Sequence, residues 1–486
     1  MSQKNDAPIL IFSLLVTLGL LGAGSWWLYK TFIPDGAGPT SSITVPSSPN
    51  VLPPSRPDTV DRDTSNGPQF SQGGLLLFAD GVSAEKRAGI KAIANQDYAT
   101  AIQQLETALQ AQRNDPEARI YLNNAYVGTD SAYTIAVSIP SPSAVDVSLE
   151  LLRGVAQAQR EINNAGGING TPLQVIIATD NNDEALAQSV AQSLSQDRTV
   201  LGVIGHFSSG ISLAAAPVYE ENGVVMISAT STSVQLSGAG AYIFRTVQSD
   251  RIAGDGLARH MIDQMGATNV AIFFNSESAY SNSLKSAFSS AVLTGGGRVV
   301  SEIDLASPGF SAAQSVAQVI QQGADVLMLA ANTPTRPQAL DVIAANRQQL
   351  KLLGGDSLYN ADILKIGQEN AVDMVVSAAW HRQSKPNASF PREAQTLWGG
   401  PVSWRTAMAY DATMAIAGGI RTTGQPPTSI TAEQVQQALA QPNFGAEGAT
   451  EIIQFLPSGD RSLPPQLITV QPEATAQFGY SFVPIP

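Results

Sequence analysis

Short apolar runs alternate with helical segments through most of the chain after residue 130, and this alternation constrains the fold more than any other feature. The first four runs read TIAVSI, LQVIIATD, VLGVIG and VVMIS and begin at positions 134, 173, 200 and 224. Runs of this length separated by about a dozen helical residues are typical of β-α-β units, because parallel strands need a crossover connection. The pattern predicts a doubly wound parallel sheet with helices on both faces.

The same alternation occurs again in a second stretch of similar length. Its apolar runs read NVAIFF, RVVSEI, DVLMLA and KLLGG and begin at positions 269, 298, 325 and 351. Segments near 244–250, 375–380 and 452–460 would carry the chain between the two halves. The sequence therefore predicts an α/β fold of two doubly wound parallel-sheet lobes joined by a three-strand hinge, with a ligand site in the cleft between them. The lobes are expected at about 131–248 with 380–455, and at about 250–377 with 458–486.

An uncharged apolar run lies close to the N-terminus. Residues 9–29 read ILIFSLLVTLGLLGAGSWWLY, and as a helix they would span roughly 30 Å, the thickness of the hydrocarbon layer. Trp26, Trp27 and Tyr29 close the run, as aromatic residues do at a membrane interface. We expect a transmembrane anchor, and hence a single-pass protein of the cell membrane whose bulk is periplasmic or extracellular. A cleaved signal peptide is the alternative.

Two further segments separate this run from the alternating region. Residues 34–72 are rich in Pro and Ser and lack apolar periodicity, which predicts an extended linker. Residues 83–128 carry apolar residues at three- and four-residue spacing, which predicts short helices. This second segment resembles a tetratricopeptide repeat, with Ala101 and Ala108 at places where that family keeps small residues. It would serve as a cap on the next domain, as a protein-interaction stub or as a structural spacer.

Composition and charge exclude several classes of function. Lys and Arg number 27 against 40 Asp and Glu, so the net charge is −13, and no basic block suits nucleic acid. The absence of Cys excludes disulfides and thiolate chemistry, and three His give little support to a metal site. The sequence has neither a Gly-x-Ser-x-Gly motif nor a Gly-rich phosphate loop with Lys. We therefore expect no enzymatic activity, no cofactor, no metal and no nucleic-acid partner.

Three motifs in register resemble one family. They read EINNAGGINGTPL from Glu161, VIGHFSSG from Val203 and VMISATST from Val225. Together with the strand positions they resemble the type I periplasmic binding proteins, and in particular the leucine/isoleucine/valine-binding branch. The resemblance covers roughly residues 132–479 and implies a venus-flytrap receptor for a small amino acid, or a related amide, that delivers its ligand to an ABC permease. The alternative is a sensory or protein-interaction module whose lobe closure is read by a membrane partner.

Hydroxyl-rich loops follow two neighbouring strands of the first predicted lobe. Ser208 and Ser209 come after the third strand, and Thr230 and Thr232 come after the fourth. Such loops would present hydroxyls and N–H groups of a helix N-terminus to an anion. The resemblance implies that Ser209, Thr230 and Thr232 hold the carboxylate of the ligand, and that the Thr230 carbonyl holds part of the ammonium. The alternative is that these residues only cap helices.

The second predicted lobe supplies the remaining candidates. Asp356 follows the strand at position 351, and the resemblance implies that it pairs with the ligand ammonium. Pairing suits a buried carboxylate, which is costly when it has no partner, although a turn or N-cap Asp is the alternative. The resemblance places the Tyr280 ring over the ligand, and Trp380 is expected to form an aromatic wall. For His206 we expect a structural hydrogen-bonding role beside the cleft.

Overall fold

Two β-sheets organise the computed structural model, which describes residues 67–385 and 387–485. The early strands are β1 (Gln69–Ser71), β2 (Tyr133–Ile139), β3 (Leu173–Thr179), β4 (Val200–Ile204), β5 (Met226–Ser228) and β6 (Ile243–Arg245). They form the first sheet in the order β1-β3-β2-β4-β5-β6, and each neighbouring pair is parallel except β1 with β3. The parallel sheet is as predicted, because strands that are buried on both faces read as continuous apolar runs.

The second sheet combines parallel strands with an antiparallel edge. The later strands are β7 (Asn269–Phe274), β8 (Arg298–Asp304), β9 (Val326–Ala330), β10 (Lys351–Gly354), β11 (Val375–Ala378), β12 (Ala446–Glu447), β13 (Ile452–Ile453), β14 (Gln466–Pro472) and β15 (Tyr480–Pro484). Seven of them lie in the order β15-β14-β11-β10-β9-β7-β8, with β14 antiparallel to both of its neighbours. The prediction of purely parallel sheets is therefore wrong at this edge, because a short turn joins β14 to β15 as a hairpin.

Helices cover both sheets. They are α1 (Ala84–Ala94), α2 (Tyr98–Ala111), α3 (Pro116–Val127), α4 (Val145–Asn164), α5 (Glu184–Gln196), α6 (Ser209–Asn222), α7 (Asp250–Arg259), α8 (Ala279–Thr294), α9 (Ala312–Gln321), α10 (Arg336–Asn346), α11 (Phe390–Trp398), α12 (Trp404–Thr423) and α13 (Ala432–Leu439). Each sheet has buried apolar clusters on both of its faces. The architecture is thus two α/β lobes, the venus-flytrap arrangement that the alternation predicts.

The chain passes between the lobes after β6, after β11 and after β13. Arg245, at the end of β6, forms an isolated parallel bridge with Asp460 on the third crossing, and their side chains form a buried ion pair of 2.6 Å. On the same crossing, Arg461 pairs with Asp411 of α12. Two buried ion pairs, each with one arginine, therefore hold the third crossing segment against the first lobe.

The segment 83–128 forms three helices that pack on the first lobe. Ile90, Leu105 and Tyr121 belong to the same buried cluster as Tyr133 and the rest of the first-lobe core. Asp97 and Asp115 cap α2 and α3 by accepting hydrogen bonds from backbone N–H groups, as short acidic side chains do. This helical segment is therefore docked on the lobe that follows it.

Predictions for the N-terminal part need two corrections. The last residues of the expected linker, 34–72, include strand β1, which pairs with the edge of the first sheet. The expected location as a single-pass membrane protein is not upheld, because no helix among residues 67–385 and 387–485 is both long and apolar enough to cross a bilayer. Residues 9–29, on which that expectation rested, and residues 34–66 lie outside the described residues.

Candidate functional site

The loop after β4 separates its two candidate serines. Ser208 occupies the N-cap position of α6, yet its hydroxyl donates to Asn182 Oδ1 at 2.7 Å on the exposed side of the loop instead of capping the helix. Ser209 is buried, and its Oγ accepts a hydrogen bond of 3.3 Å from the Ser233 N–H. Ser209 thus lies against the loop that follows β5, whereas Ser208 points away from it.

The loop after β5 holds the two candidate threonines in different environments. The Thr230 hydroxyl donates to the Phe207 carbonyl at 2.6 Å, so it ties the two loops together. Thr232 is buried, and its Oγ1 has no hydrogen-bond partner of good geometry within the described residues. Arg245 fixes this loop by donating to the Ser233 carbonyl at 2.7 Å. The Thr232 hydroxyl is therefore not held by the contact that ties Thr230 to the loop after β4.

Residues from both lobes and from the crossings enclose a small cavity at this place. Its free volume is about 10 Å³, roughly the space for one water molecule. The lining residues are Thr232, Gln248, Asp250, Ala253, Leu284, Asp356, Ser377 and Ala379. Two of the predicted site residues, Thr232 and Asp356, are brought together here, and Asp250 joins them.

Asp250 is a buried carboxyl that the sequence did not single out. It is the first residue of α7, after the first crossing, with Ser249 as the N-cap. Burial raises the pKa of Asp250 to about 7, the negative charge of Asp356 adds to that rise, and hydrogen bonding from Ser283 and Thr232 opposes it. Its Oδ2 has no hydrogen-bond partner of good geometry among the described residues. A group of this kind would gain free energy from a cation placed in the cavity.

Asp356 begins a single 3₁₀ turn immediately after β10. Burial raises its pKa, while hydrogen bonding from Tyr280 and the positive charge of Arg405 oppose that rise. The Tyr280 hydroxyl also lies 3.5 Å from Ser357 Oγ. A Cβ atom at Gly355 would collide with the Tyr280 hydroxyl, so glycine at that position permits the close approach of the ring. Tyr280 therefore lies beside Asp356.

Trp380 lies in the core of the first lobe. It is buried, its ring meets that of Phe390 edge-on with centroids 5.8 Å apart, and it belongs to the large apolar cluster of that lobe. Its indole Nε1 has no hydrogen-bond partner among the described residues. The structure thus places Trp380 in contact with helix α11, and it is not among the residues that line the cavity.

Arg405, near the start of α12, is a second residue that the sequence did not single out. Its guanidinium lies 4.6 Å from the Trp404 ring centroid and 3.1 Å from Glu150 Oε2. It is buried, and its charge opposes the rise in the pKa of Asp356 on the opposite lobe. Arg405 therefore contributes positive potential to the cleft from the first lobe.

His206 is part of a buried polar network at the base of the same loops. Its Nδ1 lies 2.6 Å from Asp180 Oδ2 and its Nε2 lies 3.2 Å from the Tyr219 hydroxyl. Asp180 also accepts a hydrogen bond of 2.8 Å from Ser138. The His206 carbonyl accepts from the hydroxyls of Ser212, Ser228 and Ser231. These contacts give His206 a structural position that orients the loops after β4 and β5.

Direct contacts across the cleft show that the lobes are closed on one another. The Val234 N–H of the first lobe donates to Ser283 Oγ of α8 at 2.9 Å. A Cβ atom at Gly210 would lie 3.9 Å from the Ala279 Cβ, so the first turns of α6 and α8 approach each other. A ligand larger than water can reach the cavity only when the lobes separate or the lining side chains move.

Residues 133–464 match the model of the family described as periplasmic binding protein. The chain is also similar to the Leu/Ile/Val-binding protein homolog 1 of Brucella abortus (strain 2308), with 25% identity over 307 residues that cover 62% of this chain and 81% of the relative. The family match begins at residue 133, so it gives no support to the tetratricopeptide resemblance of 83–128.

Two solved structures share the fold. An ABC transporter substrate-binding protein from Desulfitobacterium hafniense, in complex with Leu, is 22% identical and has a TM-score of 0.62, covering 72% of this chain and 100% of that chain. A solute-binding protein of an ABC transporter from R. palustris, in complex with benzoate, is 15% identical and has a TM-score of 0.62, covering 73% and 96%. At these identities the likeness establishes the fold alone.

These similarities confirm the predicted family and the prediction that the chain is not an enzyme, because members of the family are solute receptors without catalytic activity. They also support a location outside the cytoplasm. The family match covers well over half of the chain, from the second strand of the first sheet to the third crossing between the lobes. The chain belongs to the periplasmic binding protein family.

Proposed function

We propose that the chain is a receptor that closes on a small amino acid, of neutral or branched-chain type, and delivers it to an ABC permease. The observation that carries this proposal is the meeting of two buried carboxyls, Asp250 and Asp356, in one interlobe cavity. Buried carboxylates are costly when unpaired and are stabilised by a hydrogen-bonded cation. The ammonium of an amino acid would supply that cation.

Groups suited to the carboxylate of such a ligand lie on the first-lobe side. Thr232 lines the cavity beside Asp250, and Ser209 at the N-terminus of α6 is buried next to the same loop. Helix N-termini and hydroxyls favour anions. The ligand would therefore lie with its carboxylate toward the first lobe and its ammonium toward Asp250 and Asp356.

The two solved relatives define a choice between ligand classes. One is described in complex with Leu and the other with benzoate, which carries a carboxylate and no ammonium. A carboxylate without a cation would be repelled by Asp250 and Asp356 once they are ionised. We therefore favour a zwitterionic amino acid over an aromatic acid for this chain.

Opening and closing of the lobes would accompany binding. The closed cavity has room for roughly one water molecule, so the ligand would enter an open form and be enclosed by hinge bending at the crossings. A permease would distinguish the ligand-bound closed form from the open form. Together these steps would deliver the ligand from the receptor to the permease.

A thermal-shift screen of the full chain tests the proposal. The probes are the standard amino acids and benzoate, because a ligand that binds only the folded state raises the unfolding temperature by mass action. We expect stabilisation by one or more neutral amino acids, and loss of this stabilisation in Asp356→Ala. Asp341→Ala, which removes an exposed aspartate of α10 in the same lobe, is the matched control. Stabilisation by benzoate alone, or by no amino acid, would contradict the proposal.

A further inference from the structure

An open groove lies between the N-terminal helices and the first lobe. It has a volume of about 810 Å³ and adjoins a second hollow of about 600 Å³. Its walls come from the end of α2, from α3, from the last turns of α4 and from α11. The lining residues are Leu109, Gln110, Arg113, Arg119, Arg160, Arg392, Glu393, Thr396 and Leu397.

Four of these residues are arginines and one is a glutamate, Glu393, while the adjoining hollow adds Glu106 and Asp130. This excess of positive charge is unusual in a chain of net charge −13. Within residues 67–385 and 387–485 none of the four arginines takes part in an ion pair. Their charges are therefore available to an anionic partner.

Arg119 is the least exposed of the four arginines. Its Nε is buried and has no hydrogen-bond partner among the described residues. Burial lowers the pKa of Arg119, and the neighbouring charge of Arg160 lowers it further. Two like charges held close together favour binding of an anion between them.

The groove joins the helical segment to helix α11. A Cβ atom at Gly399, just after α11, would lie 2.8 Å from Arg113 Cδ, so the Arg113 stem packs against the end of that helix. Arg113, Arg160 and Arg392 are exposed, whereas Leu109 is almost fully buried and the half-buried Leu397 supplies the apolar surface between them. Charged residues around an apolar floor suit an extended peptide that carries both carboxylates and apolar side chains.

The groove is remote from the interlobe cavity. Helix α4 runs back from the C-terminal end of β2, so its last turns lie at the opposite edge of the sheet from the cleft. Pro172, which lines the adjoining hollow, precedes β3 at that edge. The seven residues of β3 place about 20 Å between the two sites at about 3.3 Å per residue. A partner on the groove would leave the cleft accessible.

We propose that this groove is a docking site for an acidic peptide segment of a partner protein. The peptide carboxylates would pair with Arg113, Arg160 and Arg392, and an apolar side chain of the peptide would contact Leu397. Arg is suited to this role because its planar guanidinium binds carboxylates through two hydrogen bonds. Two of the four helices that form the groove, α2 and α3, lie outside the family match, so the site belongs to this chain's helical segment as much as to the lobe.

Fluorescence anisotropy with the full chain tests the docking site. The probe is a fluorescein-labelled peptide of alternating Glu and Leu, and the same peptide with Gln in place of Glu is the neutral control. We expect saturable binding of the Glu peptide that weakens as salt is added. The double substitution Arg160→Ala/Arg392→Ala should weaken it by roughly twofold to thirtyfold, since each exposed pair contributes about 0.2–1 kcal/mol.

The matched control is Arg198→Ala, which removes an exposed arginine after α5. Equal weakening by Arg198→Ala would show general charge attraction and overturn the proposal. Equal binding of the Gln peptide, or no binding of either peptide, would also overturn it. Inorganic phosphate is titrated separately, and saturable binding of phosphate without binding of the Glu peptide would replace the peptide site by a small-anion site. Circular dichroism checks that the substituted chains remain folded.

Discussion

The backbone N–H of Val234 in the first lobe donates a hydrogen bond of 2.9 Å to the Ser283 hydroxyl oxygen in helix α8 of the second lobe. Ser283 is buried, and its hydroxyl also opposes the rise in the pKa of Asp250 by hydrogen bonding. One side chain thus connects the contact between the lobes with a carboxyl group of the cavity. We therefore expect lobe closure and the charge of the candidate site to be coupled through this residue.

Ser283→Ala should weaken ligand binding by removing this connection. The loss of one buried hydrogen bond costs about 1 kcal/mol, which corresponds to roughly a fivefold rise in Kd for an amino acid that binds the closed form. Isothermal titration calorimetry measures the change. Ser286→Ala removes an exposed serine of the same helix and should leave Kd unchanged. Equal effects of the two substitutions would contradict the coupling.

Ligand binding should depend on pH through Asp250, whose pKa burial raises to about 7. Below that pH the carboxyl is protonated and neutral, so it cannot form a charged pair with an ammonium. Above that pH it is ionised, and affinity should rise as the pH is taken from about 5.5 to about 8.5. Titrations across this range measure the effect. In Asp250→Asn the affinity should be weaker and the rise should be absent, and an unchanged rise would contradict this role.

Arg245→Met should destabilise the fold and disturb the loop that carries Thr232. Arg245 is buried, pairs with Asp460 at 2.6 Å and donates to the Ser233 carbonyl at 2.7 Å. Removing one member of a buried pair leaves the other without its counter-charge, at a cost of about 3–5 kcal/mol. Urea unfolding measures the free energy of unfolding. Arg298→Met, at an exposed arginine of β8, should change it by less than about 0.5 kcal/mol.

A buried charge cluster joins α1 to α3 within the helical segment. Lys86 of α1 lies 2.7 Å from carboxylate oxygens of both Asp115 and Glu117, and Glu117 is fully buried. Lys86→Met should therefore lower the free energy of unfolding by about 3–5 kcal/mol, because it leaves the Glu117 charge uncompensated.

Lys91→Met, in the same helix at an exposed position, is the matched control for Lys86→Met. It should have little effect on urea unfolding. Similar unfolding curves for the two variants would show that the cluster does not stabilise the helical segment.

The lobes were predictable because the signal for parallel strands is local. TIAVSI and LQVIIATD become β2 and β3, since β-branched runs buried on both faces are easily read from sequence. Strand β1 was missed because its three residues lie in a polar stretch and pair with a strand more than a hundred residues away. The antiparallel edge was missed because the partner of β14 is chosen by the path of the last crossing, and local composition does not encode that path.

Part of the candidate site was predictable for a similar reason. Thr232 and Asp356 both follow parallel strands, and the C-terminal ends of such strands meet at the ligand-binding edge. Asp250 was missed because an acidic residue in the first turn of a helix is ordinary in sequence, and its burial arises from the crossing of the chain between lobes. Trp380 was expected to form an aromatic wall of the cleft, but its ring packs against Phe390 of α11. The local sequence around Phe390 does not indicate where that helix packs.

Recognition of an ammonium group by Asp250 and Asp356 is the central claim, and calorimetry with matched ligands tests it most directly. The full chain is titrated with its best neutral amino acid and with the same molecule lacking the amino group. We predict binding of the amino acid, at least tenfold weaker binding in Asp356→Ala, and no measurable binding of the des-amino compound, since a charge-assisted hydrogen bond contributes about 1.5–3 kcal/mol. Equal affinity for the two compounds would contradict the claim.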